Sequence, residues 1–460
     1  MWFCMPFDEN IGGFMATNID VKNLKITDVR FVDVDGAPKR CTIIKIMTNQ
    51  GIEGYGEVRD ASSKTYAAMI KSRIIGLNPC NVDYIFHKIK QFGFHSRQGG
   101  GVSGIEIALL DLAGKAWGVP VWQLLGGKFR DKIRVYCDTD VDGKHTGHDM
   151  GLALKKRMEM GFTMLKMDLG IGLLMDVPGA ICAPLGFIDD MKKYAPHILN
   201  VQGGSVTQDM VSHKNSYDIV NTAHPFTGIH ITEIGLDYLE NYVKEVREVI
   251  GYEVPLAIDH FGHVCVEDSI LFAKRMEKYR LAWIEDMVPW QMHKQLHRLK
   301  HSCCIPVCTG EDIYLKEEFK KLFEDDCVSV IHPDILTCGG AMELKKIGDL
   351  ADEAGVAVAI HMAESPIACL AAAHCAAAMH NVLAIEFHSV DCPWWQDMVN
   401  LYGGGKLIEN GFITVPDTPG LGIESLNEEV LKEHINPNIP GFFEETSEWD
   451  VEFSNDRLWS

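Results

Sequence analysis

Six acidic or histidine residues close apolar runs at nearly even intervals through the second half of the chain. They are Asp259 (VPLAID), Glu285 (LAWIE), Glu311 (IPVCTGE), Asp334 (VSVIHPD), His361 (VAVAIH) and Glu386 (VLAIE), with successive gaps of 26, 26, 23, 27 and 25 residues. One strand, its loop and its helix need about 25–30 residues, so each gap holds one βα unit. Each polar residue therefore falls at the carboxyl end of a strand. In a β/α barrel those ends converge on the face that carries catalysis. The register predicts an enzyme built on a parallel barrel.

Two earlier runs, KIRVYCD and FTMLKMD, bring the strand count to eight, with helical patterns such as EDSILFAKRMEKY and LKEEFKKLFEDD between runs. The predicted fold class is α/β: a modified (β/α)7β TIM-like barrel preceded by an α+β capping domain. Residues 1–22 read as a leader, because they lack the basic start and apolar block of a signal peptide. Residues 23–133 read as the capping domain, opened by two alternating runs around the Asp35-Gly36 turn. Its helix IEIALLDLAGKAWG stops at Gly118, with Pro120 just beyond. The barrel spans 134–400, and 401–460 returns toward the capping domain. Between Lys166 and Asp259 lie 92 residues, so an insertion at about 169–233 interrupts the rhythm. It reads equally as a lid or binding loop and as a surface or oligomer contact. GYGEV and RQGGG lack the strand-to-helix setting of a nucleotide loop and read as turns.

The net charge of −21 argues against a nucleic-acid or anionic-membrane partner. An anionic substrate stays open, because a metal can supply local positive charge. No run reaches the roughly 18 apolar residues that span a bilayer. Most of the 14 cysteines sit inside apolar runs, among them Cys265, Cys327 and Cys369. They read as reduced core residues of a cytoplasmic protein, and SCCIPVC as a strand rather than a zinc site.

Asp259, Glu285 and Glu311 end three consecutive strands. Neighbouring carboxylates repel unless a cation neutralises them, and an all-oxygen set suits one Mg²⁺ per active site. That reading outweighs the alternative that acids merely cap the following helices. Asp334 beside His361 makes a plausible general base, since the carboxylate fixes the imidazole tautomer. Lys166 ends the second strand, and Asp168 lies on the same strand face, where a carboxylate favours the ammonium. Lys166 is expected to stay protonated and assist charge while His361 takes the proton. Glu386 is expected to donate a hydrogen bond, if protonated, or to orient a substrate hydroxyl.

These residues carry a resemblance. From about residue 23 to 430 the chain resembles the enolase superfamily, in its mandelate racemase/muconate lactonizing enzyme-like branch. IEIALLDLAGKAWGVPVWQLLGG resembles the signature helix and turn of that family, and HPDILTCGG its Pro-Asp…Gly-Gly segment. The resemblance maps metal ligation onto Asp259, Glu285 and Glu311, the His–Asp dyad onto His361 and Asp334, and the first lysine of Lys-x-Lys onto Lys166. It implies removal of the proton α to a carboxylate, with metal-stabilised charge.

Two departures shape the expectation. Asp168 stands where the second motif lysine would be, which disfavours a two-base racemase. Phe261 replaces a common Asn, flanked by His260 and His263. The favoured reaction is dehydration of a sugar acid by a homo-oligomeric lyase. Cycloisomerisation, or racemisation or epimerisation, of a sugar acid by the same enediolate route is the enzymatic alternative, and a catalytically silent sugar-acid binder the non-enzymatic one. A metal-dependent hydrolase is disfavoured, because CDTD replaces its His-x-His. Candidate substrate contacts are Arg59, His260, His263, Trp394 and Trp395, although paired tryptophans more often pack than bind.

Overall fold

The structure is a computed structural model. It describes residues 19–183 and 228–451, apart from Pro38, Ala61, residues 95–98, Asp142, His260, Phe261 and His263. Most of the insertion, His260 and His263 therefore lie outside the described residues, as does residues 1–18 of the expected leader. No helix among the described residues is long and apolar enough to cross a membrane.

Strands β1 (Ile26–Val34), β2 (Cys41–Thr48) and β3 (Glu53–Val58) form an antiparallel sheet. The Gly99–Trp117 helix packs across it. Here the sequence reading needs correction: GYGEV is not a turn but part of β3, and the RQGGG glycines begin this helix. A Cβ on Gly104 would lie 2.1 Å from the Glu57 carbonyl oxygen, and one on Gly100 would lie 2.4 Å from the Arg59 Cβ. The glycine face lets the helix touch β3 backbone to backbone, and so fixes the start of the loop that carries Arg59.

The barrel strands are β4 (Lys132–Cys137) and β5 (Leu165–Asp168), then β8 (Leu256–Asp259), β9 (Ile284–Glu285), β10 (Val307–Thr309), β11 (Val330–Ile331), β12 (Ala357–Ile360) and β13 (Val382–Phe387). Between β5 and β8, the two-residue strands β6 (Ile181–Cys182) and β7 (His230–Ile231) pair antiparallel at the root of the insertion. β13 pairs with β4 and closes eight parallel strands, as predicted. Phe412–Thr414 adds antiparallel to the outer end of β4. The chain then reaches the cap, where the Leu421 N–H donates to Asp111.

One layer of residues plugs the barrel: Tyr136, Met164, Ala257, Trp283, Cys308, Val330, Ala359 and Ala384. Tyr136 and Trp283 meet edge to face at 5.5 Å, and small residues fill the remaining width. Side chains alternate along a strand, so the residue two further on faces the same interior, one layer nearer the mouth. Those residues are Asp138, Lys166, Asp259, Glu285, Gly310, His332, His361 and Glu386. An apolar floor thus carries a polar storey directly above it.

Candidate active site

Lys166 sits at the centre of that storey, 1% exposed. Its Nζ lies 3.1 Å from Asp259, 2.5 Å from Glu285 and 2.6 Å from Glu386. Burial works against the charged amine, but Asp259, Glu285, Glu386 and Asp138 outweigh it and hold the ammonium well above its ordinary range. Lys166 is charged, as expected, but Asp168 is not among the leading groups that hold it so. Trp283 Nε1 donates to the second Glu285 oxygen at 2.7 Å, so the plug also orients a carboxylate.

Across the mouth, His361 Nδ1 is 2.7 Å from Asp334 Oδ2, and its Nε2 is 2.8 Å from Glu311. The other Asp334 oxygen accepts the Leu336 N–H at 2.7 Å. Burial pushes Asp334 up, yet Arg59 and the His361 hydrogen bond win and hold it low, so it stays a carboxylate. His361 Nε2 is also 3.8 Å from Glu386, which links the dyad to the lysine cluster. Burial likewise opposes ionisation of Glu386, but Lys166, His388 and His361 hold it well below the usual range. An ionised Glu386 accepts hydrogen bonds, which corrects the option that it donates one.

The structure brings Asp259, Glu285 and Glu386 together through Lys166, and Glu311 and Asp334 together through His361. Of the expected substrate contacts, Arg59, Trp394 and Trp395 lie within the described residues, and each is engaged by other groups of the protein. Arg59 is buried, and its guanidinium is committed. Nη1 pairs with Asp334 and, at 2.8 Å, with Glu364, and lies 2.9 Å from His361 Nδ1; Nε is 3.0 Å from Asp60. It braces the dyad instead of reaching for a distal substrate group. Trp395 is fully buried, donates to the Glu364 carbonyl at 2.8 Å and packs on Phe387. Trp394 stacks on His434 at 3.7 Å, so that face is already covered.

Sequence reasoning did not place Asp138, His332, His388 or Glu364 in the site. His388 lies 3.4 Å from Asp138 and 3.3 Å from Glu386. Burial and the charge of Asp168 push Asp138 up to about 6. His332 is wholly buried, 3.6 Å from Glu285, and the two join Cys308 in one compact group of ligating atoms. The signal for Asp138 and His332 was present: each stands two residues after a plug residue. A cleft of about 790 Å³ opens beside Glu311, walled by Asp286, Trp290, Tyr314 and, from the cap, Phe94. Asp286 follows Glu285 at φ +47°, a left-handed backbone at the edge of that cleft.

Comparison with known proteins fits this architecture. Residues 149–430 match the enolase C-terminal domain-like family. Residues 35–126 match the mandelate racemase / muconate lactonizing enzyme, N-terminal domain. The chain belongs to the mandelate racemase/muconate lactonizing enzyme branch of the enolase superfamily. It is 30% identical over 424 residues to D-xylonate dehydratase of Haloferax volcanii, covering 90% of each chain. It is 27% identical to D-galactonate dehydratase of Pectobacterium atrosepticum, covering 91% of this chain and 96% of that one. A mandelate racemase/muconate lactonizing enzyme-like protein from Rubrobacter xylanophilus superposes with a TM-score of 0.75 at 27% identity, covering 92% and 100% of the two chains.

Enolase-superfamily members use a divalent metal, and the donors here fit one. Five carboxylates at the mouth (Asp138, Asp259, Glu285, Glu311, Glu386) stand around one lysine, Lys166, and against burial Glu285 and Glu311 also raise His332 and His361 toward their charged forms. Burial, together with Asp259 and Glu386, pushes Glu285 well above the usual range against the pull of His332 and Lys166. A further cation is what such a group requires.

Proposed function

We propose that the protein is a sugar-acid dehydratase that removes the proton α to a carboxylate and expels the β-hydroxyl as water. The observation that carries this reading is the braced His361–Asp334 dyad, set over the same opening as the carboxylates joined by Lys166. Dehydratases at 27–30% identity over nearly the whole chain agree with an enzyme of the lyase type.

Asp334 holds Nδ1, so Nε2, 2.8 Å from Glu311, is the nitrogen left to take the α-proton. The C2–H bond breaks, and its electron pair forms the C2–C3 double bond as the C3–O bond breaks. His361, now protonated, returns its proton to the departing hydroxyl. The enol product becomes a 2-keto-3-deoxy acid. Lys166 remains an ammonium beside the developing negative charge, and Glu386 orients it. Asp259, Glu285 and Glu311 would hold Mg²⁺, which supplies charge neutralisation at the substrate carboxylate. Homo-oligomeric assembly belongs to the same proposal.

A panel of aldonates with Mg²⁺, read by semicarbazide for keto acids, tests the reaction. At least one should give a keto acid, and His361→Asn should lose both product and exchange of the α-proton with deuterated buffer. A product of unchanged mass would favour cycloisomerisation or epimerisation. No exchange with any sugar acid would overturn the enzymatic reading.

A further inference from the structure

Outside the mouth, three ligating side chains meet at the root of the insertion. His230 lies in β7, Cys265 directly precedes the Val266–Met276 helix, and Asp268 lies in the first turn of that helix. Cys265 and Asp268 are buried, whereas the His230 side chain is 57% exposed. His230 Nδ1 is 3.7 Å from Cys265 Sγ and 3.2 Å from Asp268 Oδ2. All three ligand atoms lie within 4.8 Å of one another.

Both contacts converge on the same ring nitrogen. In a nucleophilic relay the thiol and the acid occupy opposite nitrogens, so that a proton can cross the ring. Hydrogen bonding through this nitrogen serves one partner at a time. If Nδ1 carries a proton for Asp268, it cannot accept from the thiol; if it is bare, it cannot donate to Asp268. A shared cation satisfies sulfur, nitrogen and oxygen at once. With Zn–S of about 2.3 Å and Zn–N or Zn–O of about 2.0–2.1 Å, a tetrahedral ion sets neighbouring ligand atoms about 3.3–3.6 Å apart. The two distances above bracket that range. The Ile231 N–H donates to Asp268 Oδ2 at 3.0 Å and fixes the carboxylate.

We propose that His230, Cys265 and Asp268 form a second metal site that takes a borderline divalent ion of the zinc type, with the open position on the exposed His230 side. A sulfur–nitrogen–oxygen set selects such an ion, whereas the oxygen donors at the mouth select a hard one. The ion would pin the returning strand of the insertion to the helix that follows Asp259. Its role is structural, and it stands apart from the catalytic reading above.

Chelator-stripped full-length protein titrated with Co²⁺ tests it. With the mouth kept in excess Mg²⁺, one equivalent should bind with a tetrahedral visible spectrum and a sulfur-to-cobalt charge-transfer band, and Zn²⁺ should displace it. Cys265→Ser should abolish the band, and the solvent-facing His230→Ala should weaken Zn²⁺ binding at least tenfold. Both variants should keep Mg²⁺-dependent activity. No charge-transfer band, a band unchanged in Cys265→Ser, or unaltered Zn²⁺ affinity in His230→Ala would each overturn the site. Because His230 is exposed, its variant should fold even if the cysteine variant does not.

Discussion

At the barrel mouth, Asp334 and Glu386 are buried against Arg59 and Lys166. Along the seam between cap and barrel, Glu57, Glu106 and Asp111 are as deeply buried, yet most of their partners are backbone N–H groups. Glu106 accepts from the N–H groups of Ala341 and Met342 at 2.8 and 3.0 Å, and so caps the Ala341–Glu353 helix. Glu57 accepts from the Ser365 N–H and hydroxyl. Burial outweighs these hydrogen bonds and pushes Glu57 up to about 7 and Glu106 to about 8. At the mouth, Asp334 and Glu386 are held low by Arg59 and Lys166 together with neighbouring histidines, although Glu285, crowded by other acids, is not. Glu386 and Glu106, buried to the same depth, are thus shifted in opposite directions. Charge partners make a reactive centre; amide partners make a joint between domains.

The sharpest way to break this contrast is Glu285→Gln. It should lower kcat/KM by at least about 1000-fold while the thermal midpoint holds or rises, because a crowded buried carboxylate is removed. Activity within tenfold of the parent would erase the distinction. The seam offers the next largest effect. His374 accepts from the Trp122 N–H across the domain boundary at 3.2 Å, and burial pulls its imidazole down to about 4. The folded state therefore keeps it neutral while the unfolded chain takes up a proton below about 6.5. Stability is complete above that pH and falls by about 3 kcal/mol as pH drops toward 4. In His374→Asn, chemical denaturation across this window should show a correspondingly shallower fall.

Glu106→Ala should cost about 2 kcal/mol in urea unfolding, because two helix N–H groups lose their acceptor. Turnover per folded molecule should stay within twofold. A large kcat loss there would place the seam in the chemistry. The smallest effect sharpens the mouth itself. Arg59→Lys keeps the charge but loses the guanidinium fork, so kcat should fall about tenfold with KM nearly unchanged. A change in KM alone would return Arg59 to the role of a substrate contact.

The barrel was legible because polar residues at strand ends repeat with the βα period. Eight such runs pointed to closure as well, but not to its local result: the β13–β4 pairing brings Asp138 beside Glu386 and His388. The same limit explains Arg59. Its loop position suggests an exposed contact, and nothing local reveals that Gly100 and Gly104 press the neighbouring helix close enough to bury it. Trp394 and Trp395 show the reverse failure: aromatic rings near a strand end suggest a sugar wall, but neighbouring rings already occupy them. Local pattern locates chemistry along a strand; packing between distant segments decides which side chains reach it.

Arg59 belongs to one domain and steadies a proton carrier in the other. Inheritance of this chemistry is therefore joint: a barrel grafted onto a foreign cap would keep its histidine but lose the counter-charge that disciplines it. Attempts to retune the enzyme by exchanging caps must carry that arginine across, along with the glycines that seat it, or start from a blunted base.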